Sequence, residues 1–221
     1  ARLNTTEGNL TTDISAAGAL KSALEKVQTS MDALGDVDSY QQRSVSGSDD
    51  FISISSDKDA QPGSYNVKVD ALAQAHKLSS PAFAADEAIG AGVITIGSGE
   101  NSFSTVLSAT NTLEDLRDQI NNGPFTGSDS NDSVVATIIT SDTGQHLVLT
   151  SKETGEDNAI TITVQDDDGN NTDTDGLSRL TYDVSDADPA NHTTNLTQVN
   201  AAQNAQITID GTLTVSSNTN E

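Results

Sequence analysis

Gln61-Pro62-Gly63-Ser64-Tyr65-Asn66-Val67-Lys68-Val69-Asp70-Ala71-Leu72-Ala73-Gln74 decides how this chain is read. Pro62-Gly63 signals a turn, after which Tyr65, Val67 and Val69 alternate with Ser64, Asn66, Lys68 and Asp70. A period of two is that of a half-buried β-strand. Upstream of it the pattern is helical; downstream, short strands recur in an acidic background. The stretch therefore joins a helical stalk to a β-rich head.

On the upstream side, Leu10, Ala17, Leu20, Leu24, Val27, Met31 and Leu34 follow a heptad-like spacing, interrupted where Asp13 precedes Ile14. This predicts a helix of about six turns with a narrow apolar seam. Gly35 and Asp36 suit its end. No other stretch of the sequence offers a matching long apolar helix, so the seam requires cover from residues outside this chain or from another subunit. An ordinary amphipathic helix lying on its own domain is the alternative reading.

Downstream, Phe51-Ile52-Ser53-Ile54 reads as a strand able to form a hairpin with the 65–70 run. Val93–Ile96 and Ser102–Val106 read as two strands around Gly97-Ser98-Gly99. Leu113–Asn122 reads as a short helix, with Thr112 as N-cap, Asp115 three residues later and Leu113, Leu116 and Ile120 on one face. Strands at 134–140, 146–150 and 159–164 follow, separated by Gly-containing turns. In the polar stretch 165–200, Leu177, Leu180, Tyr182 and Val184 are the packing candidates. Last, 205–209 and 212–215 alternate about Asp210-Gly211, a strong hairpin signal. Strands at both ends of the head with an α+β unit between them predict a nested organisation. The fold class is α+β, mainly antiparallel β: an N-terminal stalk helix followed by two β-rich head domains, the outer inserted into the inner. The expected boundaries are 1–44 for the helical stalk segment, 45–85 plus 200–221 for the inner head domain, and 86–199 for the outer α+β domain.

The totals narrow the function. Net charge is −23, from 10 basic and 33 acidic residues, and residues 78–221 hold only three of the bases against twenty-two of the acids. Such a surface repels nucleic acid and anionic lipid, so neither is an expected partner. Solubility in salty surroundings and a dedicated cation-binding role are the two readings of the charge. There is no cysteine, which excludes disulfides, thiolate metal sites and thiol nucleophiles. No apolar run approaches a membrane span, and no signal peptide precedes the chain. It opens at Ala1 rather than Met and is read as a fragment.

Candidate chemistry is sparse. Asn171-Thr172-Asp173-Thr174-Asp175-Gly176 matches the first half of a calcium loop, but the twelfth position is Tyr182 rather than a bidentate Glu. A solvated loop is the preferred reading, with Asp166, Asp167 and Asp168 adding charge nearby. His76, His146 and His192 lack zinc spacing. Ser98 in Gly97-Ser98-Gly99 reads as a turn residue rather than a nucleophile, and no phosphate-cradling loop occurs. No catalytic residue, cofactor or metal site is expected, and the chain is not read as an enzyme.

One resemblance gathers these pieces. Residues 60–78, with Pro62, Gly63, Tyr65, Val67, Val69, Leu72 and Ala73, closely resemble the signature of the bacterial flagellar filament cap family (FliD, hook-associated protein 2). The seam helix, with Leu20-Lys21-Ser22-Ala23-Leu24 and Met31-Asp32-Ala33-Leu34, looks like that family's stalk. Ile120-Asn121, continuing into 144–155, resembles the flagellin and hook "IN" motif. The segment 202–210, with Asp210-Gly211 and Ser217-Asn218-Thr219, resembles the start of the family's carboxy-terminal region. The acidic stretch 165–200 shows no family pattern.

The resemblance implies a structural and assembly protein outside the cell at the flagellum tip, exported without a cleaved signal peptide. It would be a ring-shaped, pentamer-like homo-oligomer that bundles through the seam. It would retain exported flagellin at the distal end of the filament or hook junction and promote its folding and insertion. Host surface glycans are a further expected partner. The alternative class is an acidic extracellular binding module, adhesin-like or calcium-dependent. Another flagellar axial protein carrying an inserted "IN" unit is a third reading.

Overall fold

The computed structural model describes residues 2–35, 44–47, 52–57, 59–127 and 130–221. They fall into two units, Ala1–Ser64 and Tyr65–Glu221.

In the first unit, α1 (Arg2–Gly35) is a single helix of 34 residues. Its many hydroxyls do not break it because they turn back on the helix: Thr6, Thr11, Thr12, Ser15, Thr29 and Ser30 each donate to the carbonyl four residues earlier. An exposed Lys21–Glu25 pair adds the favourable i,i+4 geometry. The helix outruns the six turns expected from the seam, which marks only its apolar positions. The strand expected at Phe51–Ile54 is not formed: Phe51 lies outside the described residues, and 52–57 hold no regular structure. The 65–70 run, the pivot strand between stalk and head, takes its partner from the far end of the chain instead, where Ile207 and Ile209 supply the matching alternation.

The second unit holds three antiparallel sheets. The first orders β1 (Val67–Ala71), β11 (Ala205–Ile209) and β12 (Leu213–Ser217). The second has the order β10 (Thr197–Asn200), β2 (Ala75–Ser79), β6 (Gly144–Thr154), β5 (Val134–Ser141). The third runs β4 (Asn101–Leu107), β3 (Gly92–Ser98), β7 (Ile160–Asp166), β8 (Tyr182–Asp183), β9 (Thr193–Thr194). The core lies where the four- and five-stranded sheets and α2 (Leu113–Asn122) turn their apolar residues inward: Ile94 and Ile96 from β3, Leu147 and Leu149 from β6, Ile160 and Ile162 from β7. α2 contributes Leu113, Leu116 and Ile120, as its spacing predicts. Its start is the expected capping box: the Asp115 N–H donates to Thr112 Oγ1 (3.4 Å), and the Thr112 N–H donates to Asp115 Oδ2 (2.9 Å). The Thr112 hydroxyl also donates to Asp115 Oδ2 (3.2 Å), and the bonds from the Thr112 backbone and hydroxyl hold the Asp115 carboxyl below its ordinary pKa.

The acidic stretch 165–200 is more ordered than its composition suggests. Leu177, Leu180 and Tyr182 are buried and Val184 packs on the core, as read from the sequence; Leu196 joins them. Strands of two to four residues such as β8, β9 and β10 carry too little alternation to be seen in sequence. Tertiary hydrogen bonds fix the loops around them. Asp166 Oδ2 accepts from Ser178 N–H (2.9 Å), and Asn195 Nδ2 donates to the carbonyls of Asp173 (2.6 Å) and Ser178 (2.8 Å).

His76 of β2 is buried and ties two sheets together. Its Nδ1 accepts from the Ile160 N–H at the head of β7 (2.8 Å), and its ring tilts against Tyr182 with centroids 5.7 Å apart. Tyr182 in turn donates to Gln198 of β10 (3.0 Å). Burial lowers the His76 pKa, against a smaller opposing hydrogen bond to Gln198. A depressed folded-state value means stability that is full above the ordinary histidine pKa of about 6.5 and is lost as pH falls through the folded value. Thermal melts of the parent chain should therefore fall in midpoint between about pH 7.5 and pH 5.5. His76→Asn, which keeps an acceptor for Ile160, should flatten that slope; an unchanged slope would show that another group titrates.

Candidate interaction surfaces

The family-like stretch divides across two structural roles. Pro62 and Gly63 lie in the first unit without regular structure, and Tyr65 is exposed. Val67 pairs with Ile209 and Val69 with Ile207, which face Leu213 and Val215 of β12. Cross-strand partners share a face, so these six residues form one apolar surface. Val67, Val69, Leu213 and Val215 remain more than a third exposed, Leu213 at 60%. The opposite face is polar. There Asp70 accepts from Lys68 and from Thr208, and those bonds hold its carboxyl below its ordinary pKa, the Lys68 bond foremost.

Asp210 and Gly211 open the three-residue hairpin turn 210–212 with positive φ at both positions (50° and 71°), a left-handed backbone that Asp and Gly adopt most readily. Asp210 does more than turn the chain. Its Oδ1 accepts from the Asn66 N–H (2.8 Å) while its own N–H donates to the Asn66 carbonyl (2.8 Å), closing the start of β1.

Leu72 is exposed and Ala73 buried, and from Ala73 onward the motif becomes a joint. The Gln74 N–H donates to the Gln203 carbonyl (2.8 Å), and the Gln203 and Gly155 N–H groups donate back to the Gln74 carbonyl (both 3.2 Å). The Ala73 N–H donates to Asn220 Oδ1 (2.7 Å), and Asn220 Nδ2 returns a bond to the Ala73 carbonyl (3.2 Å). Thr154 Oγ1 donates to the Asn218 carbonyl (2.6 Å), and the Glu156 N–H donates to Asn204 Oδ1 (2.8 Å). A polar recess of about 400 Å³ lies beside them, lined by Ala71, Glu156, Gln203, Asn204, Gln206 and Ser216. The three-stranded sheet thus meets the rest of the head through hydrogen bonds rather than through apolar packing. The clamping roles of Asn204, Asn218 and Asn220 escape sequence reading because an isolated Asn marks a turn as readily as a tertiary clamp.

Ile120 and Asn121 adjoin in sequence and do different work. Ile120 is wholly buried in the core, whereas Asn121 reaches out of the last turn of α2 to Ala136 of β5. The remaining residues singled out by sequence form the α1 seam. Leu10, Leu20, Leu24, Val27, Met31 and Leu34 are each more than half exposed, and Ala17 is exposed with them. Leu10, Ala17, Leu24 and Met31 recur every seven residues, with Leu20, Val27 and Leu34 three residues behind the last three. The d-type position is polar at Asp13, so the continuous seam runs from Ala17 to Leu34.

The calcium-like loop is held by side chains of the protein. Ser178 Oγ donates to the Asn170 carbonyl (2.5 Å), Thr181 Oγ1 to the Asn171 carbonyl (3.1 Å) and Asn195 to the Asp173 carbonyl. Among the described residues no three His, Asp or Glu side chains converge on a metal position, and no helix is long and apolar enough to cross a membrane.

Comparison with known proteins places these features. A family model described as the flagellar hook-associated protein 2 N-terminus matches residues 1–76. The B-type flagellar hook-associated protein 2 of Pseudomonas aeruginosa is 34% identical over 216 residues, covering 95% of this chain and 44% of that protein. The chain thus spans less than half the length of that curated relative. Among solved structures, FliD (HAP2) from Pseudomonas aeruginosa PAO1 is 33% identical with a TM-score of 0.58, over 73% of this chain and 69% of that one. The D2-D3 domains of the flagellar cap protein FliD from Escherichia coli are 30% identical with a TM-score of 0.57, over 73% and 77%.

The joint makes a specific prediction. Gly155 has φ of 99°, and a Cβ there would lie 2.4 Å from the Asn218 Cβ and 2.7 Å from its Cα. Gly155→Ala should destabilise the chain by more than about 1 kcal/mol through strain and displacement of 218–220. Denaturant melts would show the loss, and hydrogen exchange would show the Ala73 amide freed first.

Proposed function

The chain belongs to the family of flagellar hook-associated protein 2, the FliD cap proteins, which are structural proteins and not enzymes, and from that premise we propose that it is a subunit of the cap at the flagellum tip. There it retains exported flagellin at the distal end of the filament and promotes its folding and insertion. It acts outside the cell as a ring of identical copies. Its work lies in interfaces: the seam from Ala17 to Leu34 bundles with other helices, and the head surfaces meet neighbouring subunits and flagellin.

The observation that carries this reading is the exposed seam on α1. Leu20, Leu24, Val27, Met31 and Leu34 are between 56% and 68% exposed at heptad spacing, an arrangement stabilised only when another helix covers it. The long-range pairing of 67–71 with 205–209 supports a nested head, in which the three-stranded sheet belongs to the inner domain and the intervening chain builds the outer one. The crossing points in that scheme are the Ala73–Gln74 and Gln203–Asn204 bonds of the joint. The pairing of β2 with β6 and β10 in the four-stranded sheet supports a first crossing near Ala73 in this scheme.

Deleting the encoding gene in its host should release unpolymerised flagellin into the medium while hooks remain on the cell. Filaments of normal length and number in the deletion strain would overturn the reading. Complementation with the full-length gene carrying Leu24→Asp and Met31→Asp should fail to restore filaments although the head still folds, because two charges interrupt the seam.

A further inference from the structure

β5 ends the four-stranded sheet, so one of its two rows of N–H and C=O groups faces away from β6. Ala136 identifies that row. Its N–H donates to Asn121 Oδ1 (3.0 Å), and its carbonyl accepts from Asn121 Nδ2 (2.8 Å). By the alternation of an antiparallel ladder, Val134, Ile138 and Thr140 face the same way. Val134 is bound in the same manner by Asn131: its N–H donates to Oδ1 (3.0 Å) and its carbonyl accepts from Nδ2 (2.7 Å). A primary amide offers one acceptor and a donor on adjacent atoms, the pair of groups that a residue of a neighbouring strand presents. Each Asn therefore supplies to one residue the two bonds a further strand would supply.

Both amides are held in place. Asn131 is buried, Nδ2 also donates to the Ile120 carbonyl (2.8 Å), and its own carbonyl accepts from Lys152 Nζ. Asn121 follows the fully buried Ile120 on α2. The strand they cover has much to hide. Val134–Ser141 reads VVATIITS, six of eight residues β-branched, with no charge, Pro or Gly. That is the composition of segments that stack with copies of themselves. Asp132 and Asp142 flank it, the position of charges that discourage such stacking. On its exposed face stand Val135 and Ile139, 43% and 55% exposed.

We propose that Asn121 and Asn131 are strand surrogates that close the β5 edge against the same strand of a second copy of this chain. A second copy is the occupant because the strand itself carries no charge, so that only the flanking Asp132 and Asp142 oppose its pairing with its own image. Antiparallel pairing across a two-fold axis would also set the exposed apolar side chains of the two strands side by side. Beyond Ala136, Ile138 and Thr140 carry no such clamp among the described residues, and two residues are too short to hold a strand alone. Asn121 is thus the residue on which closure of the middle of the edge depends.

Hydrogen exchange followed residue by residue on the parent chain is the first measurement. The Val134 and Ala136 amides should exchange much more slowly than those of Ile138 and Thr140; equal rates would overturn the proposal. In Asn121→Ala, sedimentation equilibrium should show a weight-average mass rising with concentration toward twice that of the parent, with Ile138 and Thr140 gaining protection. Adding Ile139→Lys, a charge on the exposed face, should return the mass to the parent value. A folded Asn121→Ala that keeps the parent mass at every concentration would overturn the proposal. Should that variant not fold, Asn121→Asp, which keeps the acceptor and loses the donor, is judged by the same readings.

Discussion

Everything in the head depends on one burial event, the meeting of the four- and five-stranded sheets over Ile94, Ile96, Leu147, Leu149, Ile160 and Ile162. Hydrophobic residues make up only 33% of the sequence, and aromatic residues 3%. A chain so poor in apolar surface cannot build several large cores, so it concentrates what it has in one. α2 closes that core with three side chains, and the loops that carry Phe83, Ile89 and Leu196 seal its edges. The three-stranded sheet, whose apolar face remains largely exposed, takes no part in it.

What the core cannot hold, side-chain amides and hydroxyls do. Asn195 gathers the carbonyls of the acidic loop, Asn220 clasps Ala73, Asn121 and Asn131 clasp β5, and Asn204 receives Glu156. Among the described residues no buried side-chain polar atom lacks a hydrogen-bond partner. This matters energetically because a satisfied bond contributes about 1 kcal/mol, whereas an orphaned buried group costs about 1–3 kcal/mol. The composition that reads as loop-forming in sequence is therefore the second structural material of the head. Neutral amides suit that task in an acidic protein, since they bind both N–H and C=O without adding charge.

The same fact explains which parts were legible. The pivot strand, the α2 capping box, the Asp210-Gly211 hairpin and the strands around 92–107 and 134–166 announce themselves through local alternation or local capping, and each is present. The likeness of 60–78 to the cap family was equally local, and the family model covers that stretch up to residue 76. Phe51–Ile54 had the composition of a strand, but the described residues 52–57 join no sheet, because strand formation is decided by a partner strand that composition does not name. The order within 165–200 was hidden because its strands are short and its fixing bonds run between distant residues, as from Asn195 to Asp173. For the candidate surfaces, spacing alone marked the seam on α1, whereas the clamping role of Asn121 needed Ala136 beside it in space.

Charge placement gives these surfaces their logic. α1 carries Arg2, Lys21 and Lys26 against Glu7, Asp13, Glu25 and Asp32, close to balance, while residues 78–221 carry three bases against twenty-two acids. Each of those three bases is engaged locally: Arg117 with Asp118, Lys152 with the Asn131 carbonyl, and Arg179 with Glu87 while lying 3.8 Å over the Phe83 ring. None is left over to bridge to another copy. Copies of this chain drawn together through the proposed helix seam would therefore meet little repulsion along α1 and strong repulsion between heads, falling off over a Debye length of about 8 Å at physiological salt. Attraction is confined to the apolar stripe, and the uncharged β5 edge, where two heads could otherwise adhere, is the place where the fold spends two asparagines on closure.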